Sequence, residues 1–275
     1  MTKQIITTIA LLSLLAFIAC SNSESDFWEE PINDDTAIRI FSYQGRSKNV
    51  KIPAQIGELP VTSIGSGAFS GFRLRSVSIP NSVTYISDMA FFNNRLRSVS
   101  IPNSVTSIGF LAFANNRLTS IIIPYGVKEI PLKAFESNRL TSVIIPDSVT
   151  EIGTQSFANN QLVSITIPDS VTLIQEAAFM SNQLTSIIIP DSVTSIRAGA
   201  FAQNKITSIT IGSNVPTGGP SYSGSAERIT GWESFYDEAN DLLYSFDNEF
   251  DDIYEENGSR AGTYTFSNGQ WTFQQ

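Results

Sequence analysis

Histidine is absent from this chain of 275 residues, and cysteine occurs once, at Cys20. Without an imidazole there is no Ser-His or Cys-His nucleophile and no His-liganded zinc. A lone thiol excludes an internal disulfide in any compartment. Positive charge is also scarce: 17 Lys and Arg stand against 26 Asp and Glu, for a net charge of −9. The deficit is local. Residues 61–212 hold ten basic and eight acidic side chains, whereas residues 213–275 hold two and eleven, and the first 60 hold five and seven. That balance disfavours a global nucleic-acid role, because a polyanion meets net repulsion. An apolar run long enough to cross a bilayer is missing too. The stretch from Ile5 to Ala19 is short and is broken by Thr7, Thr8 and Ser13. What remains is an ordinary 41% of apolar residues, enough for a continuous core.

Lys3 followed by that apolar stretch reads as a secretory signal, residues 1–19. It ends in Phe17-Ile18-Ala19-Cys20, which resembles a bacterial lipobox with Phe17 in the usual leucine place. The competing reading is a plain signal peptide with a chance cysteine. With lipid on Cys20, several acyl chains would anchor the protein, each buried methylene adding about 0.8 kcal/mol. Residues 20–36 are polar and acidic apart from Phe27 and Trp28, and are expected to be a flexible tether.

From there the chain repeats itself every 22 residues. Leu74, Leu96, Leu118, Leu140, Leu162 and Leu184 open six units and Ile206 a seventh; prolines (Pro80 to Pro190) and phenylalanines (Phe69 to Phe201) keep the same step. Such a period marks a solenoid of stacked units, none of which buries its apolar face alone. In LTSIIIPYGVKEIPLKAFESNR, Leu118, Ile121 and Ile123 alternate inward as a short strand does. Pro124 removes a ladder donor and ends that strand. Val127, Ile130 and Phe135 point back inward. Seven such strands, about 4.8 Å apart, predict a sheet roughly 29 Å wide. The column Asn94, Asn116, Asn138, Asn160, Asn182 and Asn204 is read as an inward ladder satisfying backbone groups of adjacent turns; a surface turn is the alternative.

The unit L-x-x-[IV]-x-I-P-x-S-V-x-x-I-x-x-x-A-F-x-x-N-x resembles the BspA-like, treponemal-type leucine-rich repeat of bacterial surface proteins. Asn116 and its equivalents stand where that family often has cysteine, and the repeat here is one residue shorter. The opening segment Ile52-Pro53 to Ile64-Gly65 is similar to the family's first unit. The resemblance implies an α/β-type, mostly β, right-handed curved solenoid. Residues 37–73 would be the atypical capping unit, 74–212 the regular array and 213–275 a small C-terminal module.

Val215–Gly224 is rich in Gly, Pro and Ser and marks the boundary of that module. Trp232, Phe235, Ala239, Leu242, Phe246, Phe250 and Ile253 follow at helical spacing, predicting one or two amphipathic helices with an acidic outer face. Their acids fail the EF-hand pattern, since Asp252 stands at the glycine position, so no metal is expected. Tyr264 to Phe273 alternates around Asn268-Gly269, a hairpin signal. Ala261–Thr265 resembles the module found behind such repeats, with capping of the last open strand as its expected job.

Two surfaces are candidates for binding. The outward strand position runs Ser78, Ser100, Ile122, Ile144, Thr166, Ile188 and Thr210. Exposed isoleucines on adjacent rungs make a patch, although Ile and Thr also simply suit strands. Arg73, Arg95, Arg117 and Arg139, with Arg75 and Arg97, form a basic strip over the first half, set against Asp147, Asp169 and Asp191 in the second. That strip either engages an acidic protein stretch or a sulfated glycan, or is merely solvated. No insertion interrupts residues 74–211 to hold a catalytic pocket, so binding is expected and catalysis is not; no cofactor is expected. The family resemblance implies an outer-membrane, surface-displayed lipoprotein adhesin and virulence factor. Its partners would be extracellular-matrix or plasma proteins such as fibronectin and fibrinogen, or other bacteria. A periplasm-facing envelope scaffold is the alternative, with self-association left open.

Overall fold

A computed structural model describes residues 26–197, 199–213, 261–267 and 270–274. The chain winds as a mostly β solenoid with the 22-residue spacing, and no helix occurs among the described residues. The six apolar positions of each unit line one continuous core. Leu74, Leu96, Leu118, Leu140, Leu162 and Leu184 are fully buried, as are the phenylalanines of every turn.

Each turn contributes two short strands, and these stack into two parallel ladders. The first ladder holds the Leu-x-x-Ile segment. It pairs Asn49–Lys51 with Ser76–Ser78, Ser120–Ile122 with Ser142–Ile144, and Ser186–Ile189 with Ser208–Ile211. The seven-strand sheet expected from the repeat is therefore interrupted: residues 98–100 and 164–166 follow the same path without strand pairing. Three-residue rungs closed by proline leave few bonds to hold such pairing in register.

The second ladder joins Ala37–Tyr43, Leu59–Ile64, Tyr85–Ile86 and Ser107–Ile108, then restarts with Glu129–Ile130, Glu151–Ile152, Leu173–Ile174 and Ser195–Ile196. The break between Ile108 and Ile130 has a chemical cause. The residue after each inward Ile donates its N–H to the preceding turn: Ser87 to Ile64, Gly109 to Ile86, Gly153 to Ile130, Gln175 to Ile152, all at 2.7–2.9 Å. Pro131 stands in that column and has no N–H to give Ile108.

Between the ladders the chain turns back through two columns of left-handed backbone, one of mixed residue types and one rich in asparagine. Met89, Leu111, Lys133, Gln155 and Ala177 adopt positive φ near 55°, and so do Asn93, Asn115, Ser137, Asn159 and Ser181 four residues later. Non-glycine residues pay about 1–2 kcal/mol for this conformation. What offsets it is axial hydrogen bonding. In one turn Met89, Phe91 and Asn93 donate to the carbonyls of Phe110, Ala112 and Ala114 in the next, at 2.8–3.1 Å, and the pattern repeats along the stack.

Both ends of the array are covered. Phe27–Ile32 runs antiparallel to Ala37–Tyr43, so part of the stretch expected to be a tether is a strand. Phe27 seals its packing, lying 5.6 Å from the Tyr43 ring and 6.2 Å from Phe69. At the other end Gly262–Ser267 pairs antiparallel with Ser208–Ile211 and then with Gln270–Gln274. Tyr264 and Trp271 are buried there, so the last rung is not an open edge. Cys20 and the acidic segment with its expected helices lie outside the described residues.

Candidate binding surface

The interior that rigidifies the surface comes first. Each ladder asparagine is a three-way clasp. Asn138 accepts from Leu118 N–H at 3.0 Å and donates to the carbonyls of Phe113 and Phe135 at 3.0 and 3.1 Å. Asn94, Asn116, Asn160, Asn182 and Asn204 repeat the same three contacts. One amide thus ties a turn to its predecessor at two points, in a dry environment where an unpaired backbone group is costly. Beside them the rings from Tyr43 and Phe69 through Phe201 stack with centroids 5.2–5.6 Å apart.

That scaffold presents a strand face with alternating sides. Ile121 and Ile123 point in; Ser120 and Ile122 point out. Ile122 and Ile144 are direct partners in adjacent rungs and are 61% and 59% exposed. Ile188, two rungs on, is 66% exposed. Ser78, Ser100 and Thr166 are exposed on the same column. Thr210 is different: it is half-buried, and its hydroxyl is 3.0 Å from that of Thr263 on the covering strand. The C-terminal strand therefore takes Thr210 off the open part of the face.

Two exposed residues belong with this patch and were not singled out by reading the repeat. Val163, 51% exposed, stands on the rung between those of Ile144 and Ile188, three residues before Thr166. Tyr125, 67% exposed, follows Ile122 in the same turn. Each is the apolar exception in a polar column, Val163 among Arg and Thr and Tyr125 among Asn and Asp, which is the signal that identifies them. A solvent-open hollow beyond them is lined by Ile188, Thr210, Asp169 and Asp191, which places the acidic column at the border of the strand face.

The basic strip lies along the other border. Arg73, Arg75, Arg95, Arg97 and Arg139 are exposed and Arg117 is half-buried. The backbone N–H groups of Arg95, Arg117 and Arg139 donate to Leu74, Leu96 and Leu118 at 2.9–3.0 Å, which fixes their spacing. Among the described residues, no group of three or more Asp, Glu, Cys or His is placed to hold a metal.

With this geometry in view, comparison with known proteins is informative. The sequence matches the family described as BspA type leucine rich repeat region, in six copies, over residues 35–162 and 106–222. This chain belongs to that family. A leucine rich cell surface protein from Faecalibacterium prausnitzii is 28% identical with a TM-score of 0.54, over 69% of this chain and 54% of that one. A leucine-rich repeat protein from Bacteroides ovatus is 22% identical over 70% of this chain and 67% of that one, with a TM-score of 0.47. The leucine rich repeat protein of T. pallidum is 23% identical over 50% of this chain and 88% of that one, with a TM-score of 0.32. The match thus spans about half the length of the F. prausnitzii chain. Comparison with curated proteins yields no match. Leucine-rich repeat proteins generally mediate protein–protein interaction, through the long repeated face of a solenoid.

Proposed function

We propose that this chain is a surface-displayed, lipid-anchored bacterial binding protein that holds a protein partner on its strand face. The observation that carries the reading is the outward column with Ile122 and Ile144 on paired rungs and Ile188 two rungs on, apolar side chains left open on a face whose backbone is locked from beneath. Contiguous exposed apolar residues rimmed by polar ones are the mark of a protein-interaction site. A rigid face also loses little entropy on binding. The cell-surface relative and the sequence around Cys20 support display on the envelope. Matrix and plasma proteins, or proteins of other bacteria, are the partners this display makes available.

The test is binding of the full chain to immobilised fibronectin, fibrinogen and intact bacteria, beside the Ile122→Asp/Ile144→Asp/Ile188→Asp protein. Saturable binding that the variant loses, with its melting curve unchanged, is the expected result. Equal binding by both proteins would remove the strand face from the proposal. The anchor has its own test: labelled palmitate incorporated by the wild type and not by Cys20→Ser.

A further inference from the structure

The register of the first rung adds cations that the regular repeat does not contain. Lys51 is the ladder partner of Ser78, and Arg75 N–H bonds to the Lys48 carbonyl, so Lys48 stands beside Arg75. Lys48 therefore extends the row of six arginines to the N-terminal end of the solenoid, and Lys51 adds a cation on the same rung in the outward column of Ser78. The ion pairs among the described residues are Arg39–Glu30 and Lys133–Glu136, and neither involves any of these eight side chains. The strip is thus a set of cations without an ion pair among the described residues, two on each of its first three rungs and one on each of the next two, the rungs about 4.8 Å apart where the strands pair.

Hydroxyls accompany the charge. Ser98, Ser120 and Ser142 are exposed on the rungs of Arg95, Arg117 and Arg139, and among the described residues their side chains have no hydrogen-bond partner, whereas Ser76 one rung earlier donates to Asn49 Oδ1 at 2.9 Å. The rungs of Arg95, Arg117 and Arg139 therefore each offer a cation and a free hydroxyl at one repeat distance. We propose that this strip binds a linear acidic polysaccharide, a chain of sugars bearing sulfate or carboxylate groups.

Three features favour that partner. Guanidinium forks match sulfate and carboxylate oxygens in bidentate fashion. The serine row suits a partner that brings hydroxyls along with its charges. The pitch also discriminates: same-side groups of an extended acidic peptide are about 6.6 Å apart, wider than a rung, whereas one pyranose advances an extended glycan by about one rung. The net charge of −9 opposes any polyanion at long range. That opposition is screened beyond about 8 Å at physiological salt, and the acidic excess follows the last rung in the sequence while the strip occupies the first five.

The experiment uses the full chain with three probes: heparin, uncharged dextran and poly-L-glutamate. Heparin binds, more weakly as salt rises, dextran does not, and poly-L-glutamate competes poorly. Arg95→Gln/Arg117→Gln/Arg139→Gln loses about tenfold or more in heparin affinity, three screened surface contacts being removed. Gln161→Arg/Gln183→Arg lengthens the strip by two rungs and tightens binding severalfold, a gain that misfolding cannot imitate. The uncharged Ile122→Ser/Ile144→Ser/Ile188→Ser protein binds heparin as the wild type does, which separates this surface from the protein-binding face. No heparin binding at low salt, an arginine variant indistinguishable from wild type, or equal competition by poly-L-glutamate would each overturn the proposal.

Discussion

Phe113 and Ile122 are close in the chain and opposite in circumstance. Phe113 is fully buried, its ring stacked on Phe91 and Phe135 at 5.2 and 5.6 Å, and its carbonyl accepts from Asn116 and Asn138. Ile122 lies open to solvent with Ile144 alongside. The Phe column keeps one residue from Phe69 to Phe201; the Ile122 column passes through Ser, Ile and Thr. On the inside a repeated residue is required because each copy supports its neighbours on both sides. On the outside the backbone needs only a strand-compatible side chain, so identity is free to serve a partner. Constancy in a buried column of this stack reports architecture, and variation in an exposed one shows where the architecture leaves side-chain identity open.

Breaking the inner column has the largest expected effect. Phe135→Ala removes a fully buried ring between two stacked neighbours and should lower unfolding stability by about 3–5 kcal/mol. Denaturant unfolding measures it. Asn138→Ala comes next. It orphans the Leu118 N–H and removes a donor from the Phe113 and Phe135 carbonyls, at about 1–3 kcal/mol for each group left unsatisfied. Both losses should spread to adjacent turns, because neighbouring units share the interface. A loss confined to slow-exchanging amides of one turn would contradict that coupling.

The inner column is also what the sequence displays best. Strict 22-residue recurrence of Leu, Phe and Asn leaves no other reading than a stack, and an amide in that dry column has to find backbone partners. The positive-φ column of mixed residue types was illegible, because Met89, Leu111, Lys133 and Gln155 share no residue type; their conformation is imposed by the axial hydrogen bonds of the next turn. The strand at Phe27–Ile32 hid inside an acidic stretch, where Phe27 and Trp28 were the only hints. Pairing of the strand ladder was over-read, because repetition fixes which way a side chain points but not whether three-residue rungs come into register. The two surface strips were visible as columns. Val163 and Tyr125 needed their exposure before they joined the patch.

A finer break lies at Pro131. Pro131→Ser restores the donor that Ser87 supplies in its own turn, and should join Ser107–Ile108 to Glu129–Ile130. The added hydrogen bond contributes about 0.5–1.5 kcal/mol, while losing proline frees the unfolded chain by about 0.4–1 kcal/mol. The two nearly cancel, so the melting temperature should move little. Hydrogen exchange is the sharper measurement: the amide at position 131 should become strongly protected. A fast amide there would show that backbone spacing, and not the missing N–H, keeps the ladder open.

The smallest effect on stability should come from the outer column, and it separates two explanations of the exposed isoleucines. If they are present only because β-branched residues suit strands, Ile144→Thr should leave everything unchanged, since Thr166 occupies the same column. If they form a binding patch, Ile144→Thr should still fold within about 0.5 kcal/mol of the wild type, as exposed substitutions do, but hold its partner more weakly. The reverse substitution, Thr166→Ile, then has a definite sign. It places a fourth apolar residue in the outward column between Ile144 and Ile188 and should tighten partner binding without raising stability. Unfolding curves and binding isotherms on the same two proteins decide it: a change in binding with none in stability assigns the isoleucines to a partner, and no change in either returns them to the strand.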